Sequence, residues 1–305
     1  MHRRMVRALF VISLIALAVV SSCPLRAADS PRNVVVFFQF QENTNGVEDA
    51  VKYIFNEMLG PNDQLIIQSP ARVYGFSKAT LAKPKSELIA MMQEKLRSDI
   101  SRAAQDYKQV IKDLQVATNN IEANAGSTSQ DVDSSMGGGQ ASTVDMRNLF
   151  MNYRQALNNL NVLRKVNEAT LRQLAGAFRG QAGENHIVIL FEREFRPIPN
   201  RETLNVLRDV PLFAFQSNEL FSSDNLKEPF DTAALVEFFK QVPLTQHFIY
   251  ITSKNSSTSG NQFENSGDVY GAFSKVAKAT GGVCESLAEP KAGLKAVAKA
   301  WKEAK

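Results

Sequence analysis

The first strong pattern in the chain is the uninterrupted apolar run Val34-Val35-Val36-Phe37-Phe38, which breaks into the polar stretch from Gln39 to Asn45 around a single Phe40. Gly46 follows, and then Val47, Val51, Ile54, Phe55 and Met58 recur at helical spacing. A continuous apolar run followed by a 3.6-residue period predicts a buried strand, a polar loop and an amphipathic helix packed on the strand. Residues 63–69 and 71–76 read as two further strands around the turn at Ser69-Pro70.

From residue 84 to 121 the period changes. Leu96, Ile100, Ala103, Tyr107, Val110, Leu114, Ala117 and Ile121 alternate spacings of four and three, a heptad seam. A second helical run opens on Ser142-Thr143-Val144-Asp145, a capping-box pattern. It continues through Met146, Phe150, Tyr153, Leu157 and Leu160, then slips to Leu163, Val166, Leu171, Leu174 and Phe178. Residues 124–141 between the runs are rich in Gly, Ser and Asp, a composition too poor in apolar side chains to order itself, and read as a flexible link. Two runs of nearly equal length predict an antiparallel helical hairpin over 84–182, each arm about 55 Å long at 1.5 Å per residue. A compact helical subdomain folded over the sheet is the alternative.

The strand–helix alternation resumes after residue 183. Strands are expected at 186–191, 210–215 and 247–252. Helices are expected at 201–208, capped by Asn200, at 232–242, capped by Asp231, and at 290–304. Leu294, Val297 and Trp301 face inward on the last helix, while Lys291, Lys295, Lys299 and Lys302 face solvent. The stretch from Val269 to Gly282 ends in Ala277-Lys-Ala-Thr-Gly-Gly282, a helix followed by the glycine that supplies a left-handed cap.

In its order and spacing this set resembles a von Willebrand factor A (vWA) domain over residues 28–83 and 183–305. That family opens on a strand ending in Asp-x-Ser-x-Ser and often carries a helix ending in Ala-x-x-Thr-Gly-Gly. The resemblance implies an α/β fold with a mostly parallel, Rossmann-type sheet flanked by helices, interrupted here by the helical insertion. It also implies a metal-ion-dependent adhesion site, but the three ligand positions read Gln39, Gln41 and Asn43. Three neutral amides offer a hard divalent cation none of the anionic oxygen it prefers. The family's threonine element falls where the arm is inserted. No metal and no cofactor is therefore expected.

Composition adds a compartment. Arg3, Arg4 and Arg7 precede the apolar run at 9–20, and small residues follow, the pattern of a signal peptide over residues 1–27. Leu25-Arg26-Ala27 offers ordinary cleavage before Ala28, whereas Val20-Ser21-Ser22-Cys23 resembles a bacterial lipobox that would lipidate Cys23. Export is expected either way, to the periplasm or the cell surface, with membrane attachment only through lipid at Cys23. Residues 1–27 hold four of the 35 basic residues and none of the 31 acidic ones, so the remainder is neutral, 31 against 31. That removes any electrostatic case for nucleic acid.

Candidate chemistry is sparse. Glu192 and Glu194 flank Arg193 just past a strand, which reads as a solvated rim sooner than as an acid–base pair. No nucleophile elbow or phosphate loop is present. His186, His247 and Cys284 are widely separated in sequence and lack zinc-like spacing. Cys284 reads as a small buried hydrophobe. A non-enzymatic protein-interaction module is the expectation, with an unidentified protein partner at the C-terminal ends of the strands. Its ligand-binding candidates are Gln41, Glu42, Asn43, Phe195 and Arg196. The alternative is a metal-dependent adhesin-like domain whose rebuilt site uses Glu42 and a carboxylate from the arm.

Overall fold

The computed structural model describes residues 30–40, 46–128, 139–163, 168–178, 180–221, 231–252 and 261–303. Residues 1–27, expected to be a signal segment and including Cys23, and most of the link between the two helical runs lie outside these residues. Strand β1 (Arg32–Gln39) is central, paired in parallel with β2 (Gln64–Gln68) on one side and β4 (Glu184–Glu192) on the other. β6 (Thr245–Ile251) and β8 (Cys284–Leu287) extend the sheet in parallel, and β3 (Val73–Phe76) closes the other edge antiparallel to β2. The order is β3-β2-β1-β4-β6-β8. This is an α/β fold with a mostly parallel six-stranded sheet flanked by helices, consistent with a Rossmann-like fold. Two short strands, β5 (Phe195–Pro197) and β7 (Gln262–Glu264), form a separate antiparallel ribbon that the sequence did not suggest.

Because successive side chains on a strand point to opposite faces, β1 feeds two cores. Val34, Val36, Phe38 and Phe40 pack with α1 (Val47–Tyr53), the first turns of α3 (Lys85–Thr128) and α10 (Pro290–Glu303). Val35 and Phe37 pack on the other side with α5 (Glu168–Ala177), α8 (Thr232–Lys240) and α9 (Gly267–Ala279). Burial on both faces explains why the strand reads as a solid apolar run instead of an alternation. The π-helical turn Ile54–Met58 continues α1, and a single turn α2 (Lys78–Leu81) precedes α3, its cap Ser77 accepting from Thr80 N.

The heptad seam divides between two neighbours. Leu88, Met92, Leu96 and Ile100 belong to the sheet core. Tyr107, Leu114, Ala117, Ile121 and Ala125 belong to a third core built with Met146, Phe150, Tyr153 and Leu160 of α4 (Gly139–Leu163). That core is completed by Leu204 and Leu207 of α6 (Arg201–Asp209) and by Phe213, Leu220 and Phe221 of α7 (Pro211–Phe221). Past Ile100, α3 therefore packs against α4 and against elements that follow the C-terminal end of β4.

Three expectations need correction. Residues 210–215 are not a strand: Pro211 opens α7, and Phe213, Ser217 and Leu220 are buried while Leu212 and Phe215 are exposed, a helical period. Proline suits the first helical position, where its missing N–H is no loss. The two helical runs are unequal, 44 residues in α3 against 25 in α4, or about 66 and 38 Å. The slip in register after Leu160 is matched by a helix end at Leu163 and a new helix from Glu168. Finally, the link is shorter than its composition implies, since 124–128 are helical in α3 and 139–141 in α4; 129–138 lie outside the described residues.

Candidate functional site

At the C-terminal end of the sheet, Gln39 closes β1 in register with Phe191 of β4. Its side chain is 4% exposed and its Oε1 is buried without a hydrogen-bond partner among the described residues. Gln41, Glu42 and Asn43 lie outside the described residues. Gly46 then turns the chain at φ +77°, and a Cβ there would stand 2.9 Å from Pro290 Cδ, so both conformation and space require glycine.

Beyond β4 the chain forms a hydrogen-bonded rim. Arg193 N extends the ladder by donating to Ile251 O at 2.9 Å. The Arg193 guanidinium pairs with Glu264 and lies 4.7 Å over the Phe195 ring. Tyr250 Oη donates to Glu264 Oε1 at 2.5 Å and lies 2.6 Å from Ser266 Oγ, which accepts from Glu194 N at 3.0 Å. Asn265 N donates to Glu194 O at 2.9 Å. Burial, then the bond to Glu264, pushes the Tyr250 hydroxyl above its ordinary range, which keeps it a donor at neutral pH. Glu192 and Glu194 are both buried, so the expected solvated rim is instead an interior one.

The two remaining candidates are on β5. Arg196 is 1% exposed: Nη1 donates to Tyr153 Oη at 3.2 Å, Nη2 donates to Leu220 O at 3.1 Å, and the guanidinium lies 5.2 Å from the Phe263 ring centre. Tyr153 Oη donates in turn to Pro197 O at 2.9 Å, and burial raises its pKa to about 12. Tyr107 Oη donates to Phe195 O at 3.3 Å. β5 is thus the place where α3, α4 and α7 are fastened to the sheet domain, and Arg196 sits inside that fastening. Phe195 is half-buried beneath Arg193.

Two features escaped the sequence reading. The first is at the opposite end of the sheet. His186 and His247 are 61 residues apart in sequence, yet each is the third residue of its strand, and the β4–β6 pairing puts His247 Nε2 3.4 Å from His186 Nδ1. Trp301 Nε1 lies 3.2 Å from the same His247 nitrogen, and Val283 N donates to Nδ1 at 3.1 Å. Burial, with His186 alongside, lowers the His247 pKa to about 3. The geometry acts the same way: both ring nitrogens face N–H donors, and an imidazolium has no lone pair to offer either. Burial also lowers His186, against the pull of Glu184, whose Oε2 is 3.6 Å from Nε2. Beside this cluster lies a cavity of about 480 Å³ between the starts of β4 and β6 and the ends of α8 and α9.

The second feature is on α4 and α7. Phe215 is 77% exposed, Met151 68% and Leu212 45%. Arg147, Met151 and Arg154 on one helix and Gln216 on the other line a small groove, and Arg154 reaches across to Glu219 at 2.6 Å. The sequence signal was available in residues 210–215, whose short apolar run reads equally as a strand.

Among the described residues, no three His, Cys, Asp or Glu side chains converge as a metal-binding set would. No described helix is long and apolar enough to cross a membrane. Cys284 is a half-buried free thiol whose pKa burial raises. The chain matches no known protein family and no curated protein.

Proposed function

We propose that the chain is an exported, non-enzymatic protein-interaction module, a vWA-like α/β domain carrying an antiparallel helical-hairpin arm and binding its partner without a metal ion. The sheet order supports the vWA-like reading. Numbered along the six-stranded sheet alone, the strands run 3-2-1-4-5-6, the doubly wound order, with the third strand antiparallel at the edge. The neutral amide at Gln39 supports metal independence.

The observation that carries the interaction reading is the set of large apolar side chains exposed on α4 and α7. Met151, Leu212 and Phe215 are large apolar residues left in solvent on two packed helices, where residues 147, 151 and 154 repeat at helical spacing. Large exposed aromatic and Met side chains beside arginine are the residue types that anchor partners. Arg147 at the groove, beside Arg154 paired with Glu219, fits an acidic amphipathic helix of a partner protein, laid between α4 and α7. A second reading, a metal-dependent adhesin-like domain, takes its support from Glu192 and Glu194, two buried acids at the end of β4.

Thermal melts with and without millimolar magnesium or calcium separate the readings, because any ligand of the folded form raises the melting temperature by mass action. No shift is expected; a rise of several degrees reversed by chelator overturns metal independence. Affinity capture from the native cell envelope tests the surface. The partner retained by the wild type is lost with Met151→Ser plus Phe215→Ser, whose melting temperature stays unchanged. Equal capture by both proteins removes this face from the proposal.

A further inference from the structure

We propose that Trp301 and the two buried histidines beside it form an acid-released latch. They hold the last turn of α10 on the sheet at neutral pH and let it go on acidification, before the fold as a whole unfolds. This device lies at the N-terminal end of the sheet and does not rest on the interaction reading. The helix is anchored in two separate ways. Upstream, Leu294 and Val297 are fully buried in the sheet core, and at Gly293 a Cβ would stand 2.3 Å from Ile249 Cγ2. In the last turn Trp301 is buried, whereas Lys302 and Glu303 are exposed. The Trp301 ring packs on His186 with centroids 4.7 Å apart, the Arg32 guanidinium lies 4.7 Å from its centre, and Nε1 donates to His247 Nε2 at 3.2 Å. Trp301 also lines the cavity between the starts of β4 and β6, so its departure opens that cavity.

Protonation undoes the docking whichever ring nitrogen carries the proton of the neutral His247. Val283 N–H faces Nδ1 at 3.1 Å and the Trp301 N–H faces Nε2, so the neutral ring accepts from one of them and an imidazolium from neither. The surrounding charges do not offset this loss. Glu184 of β4, 3.6 Å from His186 Nε2, and Asp63 ahead of β2 favour a charged His186, and Arg32 of β1 opposes it. Asp63 is itself bonded to Arg32 at 2.6 Å. Glu285 of β8 is exposed, Lys240 of α8 pairs with Glu237, and Lys278 of α9 adds positive charge. On α10, Lys299 pairs with Glu303 and Lys302 points to solvent. Among the described residues no carboxylate reaches His247, whose one charged neighbour on protonation is His186.

The pH window follows from these contacts. Docked, His247 is pulled down to about 3 by burial and by His186, whereas a solvated imidazole titrates near 6.5. The undocked state therefore takes up the proton first, and acid favours it, by about 30-fold at pH 5. Exposing a large buried side chain costs about 10- to 150-fold in the same equilibrium. The two balance between about pH 5.5 and pH 4, where half of the molecules have released the turn.

Trp301 is the single tryptophan of the chain, so its emission reports the latch directly. The purified protein is titrated from pH 7 to about pH 3.5, with emission wavelength and acrylamide quenching followed alongside far-ultraviolet circular dichroism. A red shift and easier quenching with a midpoint in that window are expected, reversed on return to pH 7, while the dichroism stays native. His247→Gln removes the titrating ring and is expected to hold the emission constant over the same range. A wild-type emission that does not move above pH 4 overturns the proposal. So does a red shift that coincides with loss of dichroism, because the whole domain is then unfolding together; this comparison needs no variant to fold. A folded His247→Gln protein that keeps the wild-type transition overturns it as well.

Discussion

Asp99 on α3 shows how much a single side chain can fix. Its Oδ2 accepts from Ser69 Oγ at 2.6 Å and from Tyr74 Oη at 2.7 Å, in a nearly solvent-free position. Burial first, then this bond, raises the Tyr74 pKa to about 12. Asp99→Ala strands two hydroxyls and is expected to cost about 2–4 kcal/mol in urea unfolding. Arg196→Met should behave as an interior lesion, lowering stability by about 2–4 kcal/mol, and not as a selective loss of partner binding. His247 sets the response to acid. Its folded pKa, about 3, is below the unfolded value near 6.5, so the unfolded chain takes up the proton first. The stability present above pH 6.5 is therefore lost as pH falls toward 3, by roughly 2 kcal/mol at pH 5. Urea midpoints at pH 7 and pH 5 measure it, and His247→Gln is expected to flatten the difference. None of these partnerships is local in sequence: Ser69 and Asp99 are 30 residues apart, and His186 and His247 are 61. Sequence spacing makes such histidines look isolated, because strand pairing, not proximity in the chain, brings them together.

At the scale of elements, what was legible depended on length and burial. β1 and β4, buried on both faces, announced themselves as unbroken apolar runs, and the long period of α3 exceeded any strand. The six-residue run at 210–215 is too short for periodicity to decide, and packing beside Phe150 and Tyr153 settled it as α7. The glycine pair after α9 was read as a cap, and Gly281 does adopt φ +72° with its N–H donating to Lys278 O. Gly282 has a different reason to be glycine: a Cβ would stand 1.8 Å from Gln246 O, the backbone of β6. Gly282→Ala must push β6 away from the α9–β8 connection. A loss of 5 °C or more in melting temperature is expected, larger than for Gly281→Ala, whose Cβ meets nothing within 4 Å. Equal losses at the two positions would show that conformation, not close approach, governs both.

In the molecule as a whole, two of the three cores meet along one helix, α3. The sheet layers were foreseeable from strand and helix alternation, whereas the β5–β7 ribbon was not, because three-residue strands carry no periodic signal. Of the candidate site, the rim residues were found by position, but their burial was hidden until β7 and α9 were folded against them. α3 spans the sheet core and the α4–α7 core without a break, and that continuity has a mechanical meaning. Its stretch from Leu88 to Ile100, about 18 Å, is clamped on the sheet, while about 42 Å runs on to Thr128. Beyond the clamp the helix is tied a second time, by Tyr107 to Phe195 O on β5 and by Glu122 to Asn200 N, so it is a beam held at two places. Asp99, at the end of the clamp, ties the helix to the β2–β3 edge through Ser69 and Tyr74. A load that a bound partner applies to α3 is therefore shared between the β2–β3 edge of the sheet and the β5–β7 ribbon.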